Sequence, residues 1–260
     1  MKIGCISWSH RNDFSDGKMD VFQWMEHCKR DCRLDGVEIW NNHFLSLDEE
    51  YLKKIKEKSQ ELELPVYSVA TKCVFGDFSE EEIEKAKDTM RKWLAATDFL
   101  GVPAMRISVG GSDLRLESHQ KAVFEALSEV IREGKYPDIT VGIENQEPGV
   151  VQDSLDVGMM WEKSKGALKL ILDNGSFINK EDSYGFMEET LDKAAVVHAK
   201  FFDIREDGSD KMLDYPRIRE ILERSSYRGY VSIEYDSMEP AVRDVPRIAG
   251  YLRDLLGEVE

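Results

Sequence analysis

The sequence predicts an α/β protein folded as a single (β/α)8 barrel, the TIM-barrel architecture, in which a parallel eight-stranded barrel is surrounded by outer helices. Three observations predict this fold. Short apolar, β-branched runs alternate eight times with longer stretches of helical periodicity. The chain of 260 residues has the length of one such barrel. No linker, low-complexity tract or change in composition divides it, so we expect one domain over residues 1–260.

The strands are predicted from short runs rich in valine, isoleucine and aromatic residues. Because these runs alternate strictly with helices, neighbouring strands are expected to be parallel and joined by helical crossovers. An open doubly wound sheet would fit the same alternation, but no glycine-rich phosphate loop follows the first strand, which favours the closed barrel. The predicted strands cover residues 2–7, 36–40, 65–70, 104–109, 140–144, 168–173, 196–201 and 230–235.

The helices are predicted from their periodicity and from start signals. Ser46 with Glu49, and Ser79 with Glu82, have the spacing of a capping box. The helix after Ser79 is acidic at its start and basic further on, as the helix dipole favours. The sixth unit, over residues 178–194, has the weakest helical pattern because it contains an internal glycine. The predicted helices are centred near residues 25, 55, 90, 125, 158, 187, 219 and 248.

The composition argues against two classes of partner. The formal net charge is -16 at pH 7 and the pI is about 4.9, whereas nucleic-acid binding needs a basic surface. The chain has no apolar run of about 18 residues that could span a membrane, and its first residues lack the pattern of a signal peptide. We therefore expect a cytoplasmic protein that binds neither nucleic acid nor membranes.

The cysteines do not indicate a disulfide framework or a zinc site. Four cysteines are too few and too scattered for a disulfide scaffold. Cys28 and Cys32 lie four residues apart on a predicted helix, but no second Cys or His pair with metal-ligand spacing lies nearby. Zinc binding at this helix is therefore not favoured.

Four consecutive predicted strands end in a group that can bind a metal. In a barrel of this kind the chemistry lies at the carboxyl ends of the strands. Buried carboxylates that converge there would repel one another unless a cation or shared protons neutralise them. Three carboxylates and one imidazole suit a divalent ion such as Mn²⁺, Mg²⁺, Co²⁺ or Zn²⁺. The four residues are Glu144, Asp173, His198 and Glu234.

Several segments spread over nearly the whole chain carry a family resemblance, namely GVEIW at 36–40, the long segment 84–111, IEN at 143–145, LD at 172–173, VHAK at 197–200 and the block 214–236. Together they resemble the xylose isomerase-like barrels of the sugar phosphate isomerase and epimerase superfamily. The resemblance implies that Glu144, Asp173, His198 and Glu234 bind the metal, and that Lys200 matches a lysine common in the family. Ser176 stands where many members have a histidine, and the arginine motif of epimerases does not align clearly with Arg205.

The resemblance implies a metal-dependent isomerase or epimerase of a keto or aldehyde sugar, or of a related polyol. One divalent ion would stabilise the enediolate that forms when a proton leaves the carbon beside the carbonyl. Glu144 and Glu234 are the expected acid and base. Lys200, which shares a strand face with His198, is expected to neutralise the developing oxyanion or to bind a hydroxyl.

Two alternatives remain open at this stage. The same site would serve a dehydratase, a lyase acting on a keto-polyol such as an inosose or dehydroshikimate. A sugar-binding barrel without turnover is the second alternative, because a fold does not fix a function. The family also contains apurinic endonucleases, but the acidic charge and a single histidine at a late strand end argue against that activity.

Several further residues are expected to bind the substrate. Aromatic side chains after the first two strands would lie at the mouth of the barrel and stack on a sugar ring, although tryptophans there often only pack. Glu38 is expected either to bind substrate or to pair with Arg106. Because such barrels frequently pair, a homodimer is a further option. The substrate-binding candidates are Lys200, Trp8, Trp40, His43, Glu38 and Arg106.

Overall fold

The predicted barrel is confirmed by a computed structural model, which describes residues 1–176 and 183–257. Eight strands follow one another in chain order around a closed barrel, and each runs parallel to both of its neighbours. The last strand pairs with the first, with Lys2 opposite Tyr230 and Cys5 opposite Ile233. Closure removes the sheet edges and brings all eight carboxyl ends to one face.

Four strands have the predicted bounds, and the other four differ from the prediction by one to four residues at an end. The first is one residue shorter because Ser7 begins a 3-10 turn. The third extends to Val74, with its last residues paired to the fourth strand as far as Gly110. The strands are β1 Lys2–Ile6, β2 Gly36–Trp40, β3 Val66–Val74, β4 Ala104–Gly110, β5 Thr140–Glu144, β6 Leu168–Asp173, β7 Ala194–Phe201 and β8 Tyr230–Tyr235.

A helix follows each strand and packs outside the barrel. The predicted helices are present, and a short additional helix after β1 was not predicted from the sequence. Residues 178–182 of the sixth predicted unit lie outside the described residues. The helices are α1 Arg11–Ser15, α2 Val21–Arg30, α3 Glu49–Glu61, α4 Glu80–Leu100, α5 Glu117–Arg132, α6 Ser154–Ser164, α7 Ser183–Thr190, α8 Tyr215–Arg224 and α9 Ala241–Leu256.

The two predicted caps have different outcomes. Ser79 is the N-cap of α4, and its hydroxyl accepts the backbone N–H of Glu82 at 3.4 Å. The cap at Ser46 is wrong, because α3 begins at Glu49 and its N-cap is Asp48. The Ser46 hydroxyl instead accepts the backbone N–H of Asp48 at 2.9 Å, one turn before the helix.

Large side chains fill the amino-terminal part of the barrel interior. Tyr67, Ile171 and Val196 form a small apolar cluster there, and the ring of Tyr67 stacks on Tyr230 with centroids 3.8 Å apart. Gly4 lies against this cluster, because a Cβ at this position would come within 2.4 Å of the Tyr67 ring. This packing closes the lower end of the barrel and leaves the carboxyl end for polar groups. Among the described residues no helix is long and apolar enough to cross a membrane.

Candidate metal and substrate site

Four strands bring ionisable side chains together at the carboxyl end of the barrel. Strand pairing places His198 beside Ser232, and Lys200 beside Glu234, so both residues of β7 point into the barrel with the β8 carboxylate. Glu144 approaches from the end of β5 and Glu38 from β2. His198 and Glu38 are completely buried, and Glu144 and Glu234 are nearly so.

His198 contacts three carboxylates. Its Nδ1 lies 2.6 Å from Glu234 Oε2 and 3.0 Å from Glu144 Oε1, and its Nε2 lies 2.9 Å from Glu38 Oε2. Burial alone would lower the pKa of His198, but these carboxylates raise it well above the ordinary value. Nδ1 carries one hydrogen, and Glu234 accepts it at the shorter distance. Glu144 Oε1 is therefore a buried carboxylate oxygen without a hydrogen-bond partner.

This arrangement fits a divalent cation. The ligand atoms of Glu144, His198 and Glu234 lie within 4.8 Å of one another, and residues 1–176 and 183–257 contain no other such group of three. Two carboxylates and an imidazole are ligands that Mn²⁺, Co²⁺ and Zn²⁺ accept. An unpaired buried carboxylate oxygen beside a second carboxylate is costly without a cation. Of the four predicted metal ligands, three therefore form a candidate metal centre.

Asp173, the fourth predicted metal ligand, lies in the wall of the same cavity. Its Oδ1 accepts the backbone N–H of Gly175 at 2.7 Å, and its Oδ2 lies 3.4 Å from Lys200 Nζ. The Asn145 amide fixes the Asp173 backbone through hydrogen bonds of 2.8 and 2.9 Å. Burial raises the pKa of Asp173 above its ordinary value. Metal binding by Asp173 stays a prediction.

Lys200 lies between the carboxylates and an aromatic ring. Its Nζ is 2.8 Å from Glu234 Oε1 and 5.1 Å from the centroid of the Trp8 ring. Burial alone would lower the pKa of Lys200, but Asp173 and Glu234 raise it, so the ammonium stays charged. Burial alone would raise the pKa of Glu234, but Lys200 and His198 hold it well below the ordinary value.

Arg106 pairs with Glu144, so the alternative pairing of Arg106 with Glu38 is wrong. The Arg106 guanidinium donates to Glu144 Oε2. Burial alone would raise the pKa of Glu144, but Arg106 lowers it below the ordinary value. Arg106 and Glu144 lie on adjacent strands, β4 and β5, whereas Glu38 lies two strands from Arg106, on β2, and contacts His198. Glu144 is therefore ionised, and one of its oxygens is held by a fixed cation.

Glu38 lies behind His198 and away from the cavity surface. Its Oε1 accepts the Ser68 hydroxyl at 3.1 Å, and its Oε2 is 3.4 Å from the Ser232 hydroxyl. Tyr67 extends this network by donating to Ser232 at 2.6 Å. The environment of Glu38 suits the orientation of His198 better than contact with a substrate.

A cavity of about 450 Å³ opens above the candidate metal centre. Four of the predicted substrate-binding residues line it, namely Trp8, Trp40, Arg106 and Lys200. His43 lies behind this lining, where its ring stacks on Phe14 with centroids 3.6 Å apart and meets the edge of Trp40. Other lining residues that the sequence reasoning missed are Lys72, Ser108, Gln146, Glu147, Gly175, Phe202 and Asp236.

Some of the missed residues had a detectable signal. Ser108 lies two residues after Arg106 on β4 and therefore shares its face. Lys72 lies in the part of β3 beyond its predicted end. Of the positions that depart from the family pattern, Ser176 lines the cavity. Arg205 lies elsewhere, where its guanidinium donates to the backbone carbonyl of Asp210 at 2.5 Å.

These features define a class of protein, the (β/α)8 barrels with a buried carboxylate and histidine site at the strand ends. The sequence model of the xylose isomerase-like TIM barrel family matches residues 30–255 of this chain. The chain belongs to this family, as the sequence resemblance implies.

Solved structures share this fold at low sequence identity. A sugar phosphate isomerase/epimerase from Parabacteroides distasonis has a TM-score of 0.75 at 17% identity, covering 97% of this chain and 93% of that one. A probable 3-DHS dehydratase, AsbF, from Bacillus anthracis has a TM-score of 0.78 at 12% identity, covering 97% and 98%. The IOLI protein with a bound zinc atom has a TM-score of 0.78 at 15% identity, covering 98% of both chains. At these identities the likeness shows the fold alone.

One curated relative matches over a short segment. The alpha subunit of a C-glycoside deglycosidase from Arthrobacter globiformis is 48% identical over 40 residues. This segment is 15% of the present chain and 11% of that subunit. This match is a local similarity, and the family assignment rests on the match over residues 30–255.

Proposed function

We propose that the protein is a divalent-metal-dependent isomerase or epimerase of a keto or aldehyde sugar or a related polyol. The observation that carries this proposal is the pair of buried carboxylates, Glu144 and Glu234, on either side of His198 Nδ1 at the floor of the cavity. Two ionised carboxylates so close together can remove a proton from a substrate carbon and return it.

Glu144, His198 and Glu234, with Asp173 beside them, would hold one ion of Mn²⁺, Mg²⁺, Co²⁺ or Zn²⁺. When bound, such an ion supplies Lewis-acid polarisation of a substrate carbonyl. The His198 nitrogen that faces both carboxylates is Nδ1, and metal binding there would replace its hydrogen and leave Nε2–H for Glu38. This tautomer is the one in which a carboxylate behind a metal-binding histidine raises its basicity.

The remaining residues of the cavity support proton transfer at a sugar carbon. Both carboxylates are kept ionised by fixed cations, Glu234 by Lys200 and Glu144 by Arg106. The Lys200 ammonium also lies where negative charge would develop on a substrate oxygen, and a preformed cation there lowers the barrier. Trp8 and Trp40 offer apolar walls for the C–H faces of a sugar ring.

A dehydratase acting on a keto-polyol such as an inosose or dehydroshikimate is the second candidate. Arg205 lies outside the cavity lining and binds the Asp210 carbonyl, which weakens the analogy to epimerases that carry an arginine motif after β7. Dehydration uses the same first proton transfer and then expels a hydroxyl from the next carbon. The groups that line the cavity would therefore also serve a lyase.

One experiment tests both candidates. The protein is freed of metal with chelator, reloaded separately with Mn²⁺, Co²⁺, Mg²⁺ or Zn²⁺, and incubated in D₂O with aldoses, ketoses, inososes and dehydroshikimate. Proton NMR then reports deuterium entering beside the carbonyl, together with an isomer or a dehydrated product. Exchange that needs metal supports the proposal, and the product distinguishes isomerase from lyase. Binding without exchange under every metal would instead support a sugar-binding barrel.

A further inference from the structure

A second cluster of reactive groups lies at the carboxyl-terminal end of α2, apart from the candidate metal centre. We call it the α2 thiol cluster, and it contains Cys28, Cys32, His27 and Asp31. His27 Nδ1 lies 2.8 Å from Asp31 Oδ2, and His27 Nε2 lies 3.4 Å from Cys32 Sγ. A carboxylate, an imidazole and a thiol thus follow one another in hydrogen-bond contact.

This geometry favours a thiolate at Cys32. Asp31 accepts the Nδ1 hydrogen of the imidazole, so Nε2 can take the proton of the Cys32 thiol and then donate a hydrogen bond to the thiolate. Contact with Cys28 and the nearby His27 lower the pKa of Cys32 to about 6, against the opposing effect of burial. Burial alone would lower the pKa of His27, but Cys32 and Asp31 raise it to about 9. Near neutral pH the two groups form a thiolate and imidazolium pair.

Cys28 is placed to react with an oxidised Cys32. Cys28 and Cys32 lie four residues apart at the end of α2, a spacing that in a helix puts Cβ atoms about 5 to 6 Å apart. A disulfide needs a Cβ separation of about 4 Å. Cys32 lies two residues beyond the last residue of α2, Arg30, where its backbone N–H donates to the His27 carbonyl at 3.2 Å and its carbonyl accepts the Arg253 guanidinium at 3.3 Å. A local movement of about 2 Å at this helix end would close the bond.

The other two cysteines provide a contrast within the same chain. Cys5 and Cys73 are also completely buried, and burial raises the pKa of Cys73 to about 12. The Cys5 thiol donates to the Ile6 carbonyl at 3.3 Å, and its pKa is also raised by burial. Burial therefore does not by itself activate a cysteine in this protein, and His27 and Asp31 distinguish Cys32.

We propose that Cys32 and Cys28 form a peroxide-reactive thiol pair, in which Cys32 attacks a hydroperoxide and Cys28 resolves the product. The Cys32 thiolate takes one peroxide oxygen as the O–O bond breaks, and the His27 imidazolium gives its proton to the departing hydroxide, which leaves as water. The Cys28 thiol then displaces hydroxide from the Cys32 sulfenic acid, which forms a disulfide and a second water. Two thiol sulfurs are oxidised by two electrons in all, and one peroxide is reduced to two waters.

The position of Cys32 suits a small oxidant. Cys32 is 2% exposed, but it follows Asp31 in the chain, whose side chain is 63% exposed. Hydrogen peroxide is small enough to reach a sulfur in the first buried layer during local opening at a helix end. A bulky alkylating reagent or a large disulfide suits this site less well.

The first test uses the wild-type chain, so it does not depend on a variant that folds. The native protein is treated with hydrogen peroxide at pH 7, quenched, and mapped by peptide mass spectrometry. We expect oxidation at Cys32 at least about ten times faster than at Cys73. We also expect an intact-mass loss of two hydrogens that a dithiol reductant restores. Oxidation of Cys32 no faster than Cys73 would overturn the proposal.

Variants then separate the roles of the two sulfurs. Cys28→Ser should accumulate an oxygen adduct at Cys32 in place of the disulfide, and Cys32→Ser should lose the rapid reaction. His27→Gln should slow the first step about tenfold or more. Cys73→Ser is the matched control and should react as the wild type does. If Cys32→Ser formed the reducible product at the wild-type rate, the assignment would be wrong.

Discussion

Glu38 Oε2 lies 2.9 Å from His198 Nε2, and both side chains are completely buried. The opposite nitrogen of the ring faces Glu144 and Glu234. Glu38 therefore accepts the Nε2 hydrogen on the buried side of the ring. Nδ1, on the cavity side, is the nitrogen that would bind a cation. In the proposed enzyme Glu38 is a positioning residue.

Replacing Glu38 should weaken metal binding without altering the cavity. Glu38→Gln keeps the shape and an oxygen that can accept from His198, but it removes the charge that supports the imidazole. We expect metal affinity to fall about 10-fold to 100-fold, with Glu38→Ala at the larger end. Isothermal titration with Co²⁺ or Mn²⁺ measures this, and the exposed carboxylate variant Glu61→Gln is the control. Unchanged affinity in both Glu38 variants would show that it does not act through His198.

Adding metal to the chelator-treated protein should raise its thermal stability. A ligand present at about 100 times its Kd stabilises the native state by about 2.7 kcal/mol, which corresponds to a Tm increase of about 5 to 10 °C for a chain of this size. Glu144→Gln should lose most of this increase because it removes one ligand charge. His119→Asn, at a half-buried position of α5 that stacks on Phe78 away from the candidate metal centre, should retain it. A Tm that does not respond to any of the four ions would contradict the metal site.

Glu234→Gln should remove proton transfer while leaving the fold intact. Loss of a positioned general base costs about 10²-fold to 10⁴-fold in rate, so deuterium exchange into the substrate should fall by that range. Glu239→Gln changes an exposed carboxylate in the loop after the same strand and is the matched control. Circular dichroism checks that both variants fold. Exchange at the wild-type rate in Glu234→Gln would assign the base to another residue.

The sequence was sufficient to predict the barrel because strict alternation of strand and helix leaves few parallel topologies. It also indicated that Glu144, His198 and Glu234 would lie close together, since strand ends in a closed barrel converge whatever the details of packing. Pairings between side chains inside the barrel were harder to predict. Arg106 was as compatible with Glu38 as with Glu144 until strand neighbours and side-chain directions were known.

The details that failed depend on local geometry. The cap at Ser46 was wrong because its spacing to Glu49 resembles a capping box, although the helix begins only at Glu49. The true reciprocal box pairs Asp20 with Gln23 at the start of α2, an arrangement outside the Ser and Glu pattern used for prediction. The contact of His27 with Cys32 also depends on how the chain turns beyond α2, which residue spacing alone does not specify.

Gly4→Ala should destabilise the barrel. The new Cβ would lie 2.4 Å from the Tyr67 ring, and this ring is held by stacking on Tyr230 and by a 2.6 Å hydrogen bond to Ser232. Overpacking of this kind costs about 1 to 3 kcal/mol. Gly158→Ala on α6 is the matched control, because its added Cβ meets nothing within 4 Å, and it should be neutral or stabilising by up to about 1 kcal/mol. Urea unfolding of the two variants measures the difference. Equal midpoints would show that the Tyr67 cluster rearranges to accommodate the added methyl group.

Peroxide oxidation of Cys32 should depend on pH in a way that separates it from an ordinary thiol. The pKa of Cys32 is lowered to about 6, so its thiolate is present above that pH and is protonated as the pH falls below it. The proton donor His27 has its pKa raised to about 9 and loses its hydrogen above that value. The rate should therefore rise through pH 6, stay nearly level, and decline above pH 9. The other ionisable groups near this pair are Asp31 and Cys28 on the same segment, Cys5 on β1, His10 after β1, Asp13 on α1 and Arg253 on α9.

In His27→Gln the rise of the rate at low pH should shift to a higher pH, near or above the ordinary thiol pKa of about 8.5. Without the imidazolium, nothing from His27 opposes the effect of burial, which raises the pKa of Cys32. Asp31→Asn should move the decline at high pH to a lower pH, because the imidazolium loses its carboxylate partner and the pKa of His27 falls. Stopped peroxide reactions between pH 5 and pH 10, read by peptide mass spectrometry at Cys32, measure both limbs. A single limb near pH 8.5 in the wild type would show that Cys32 reacts as an unassisted thiol.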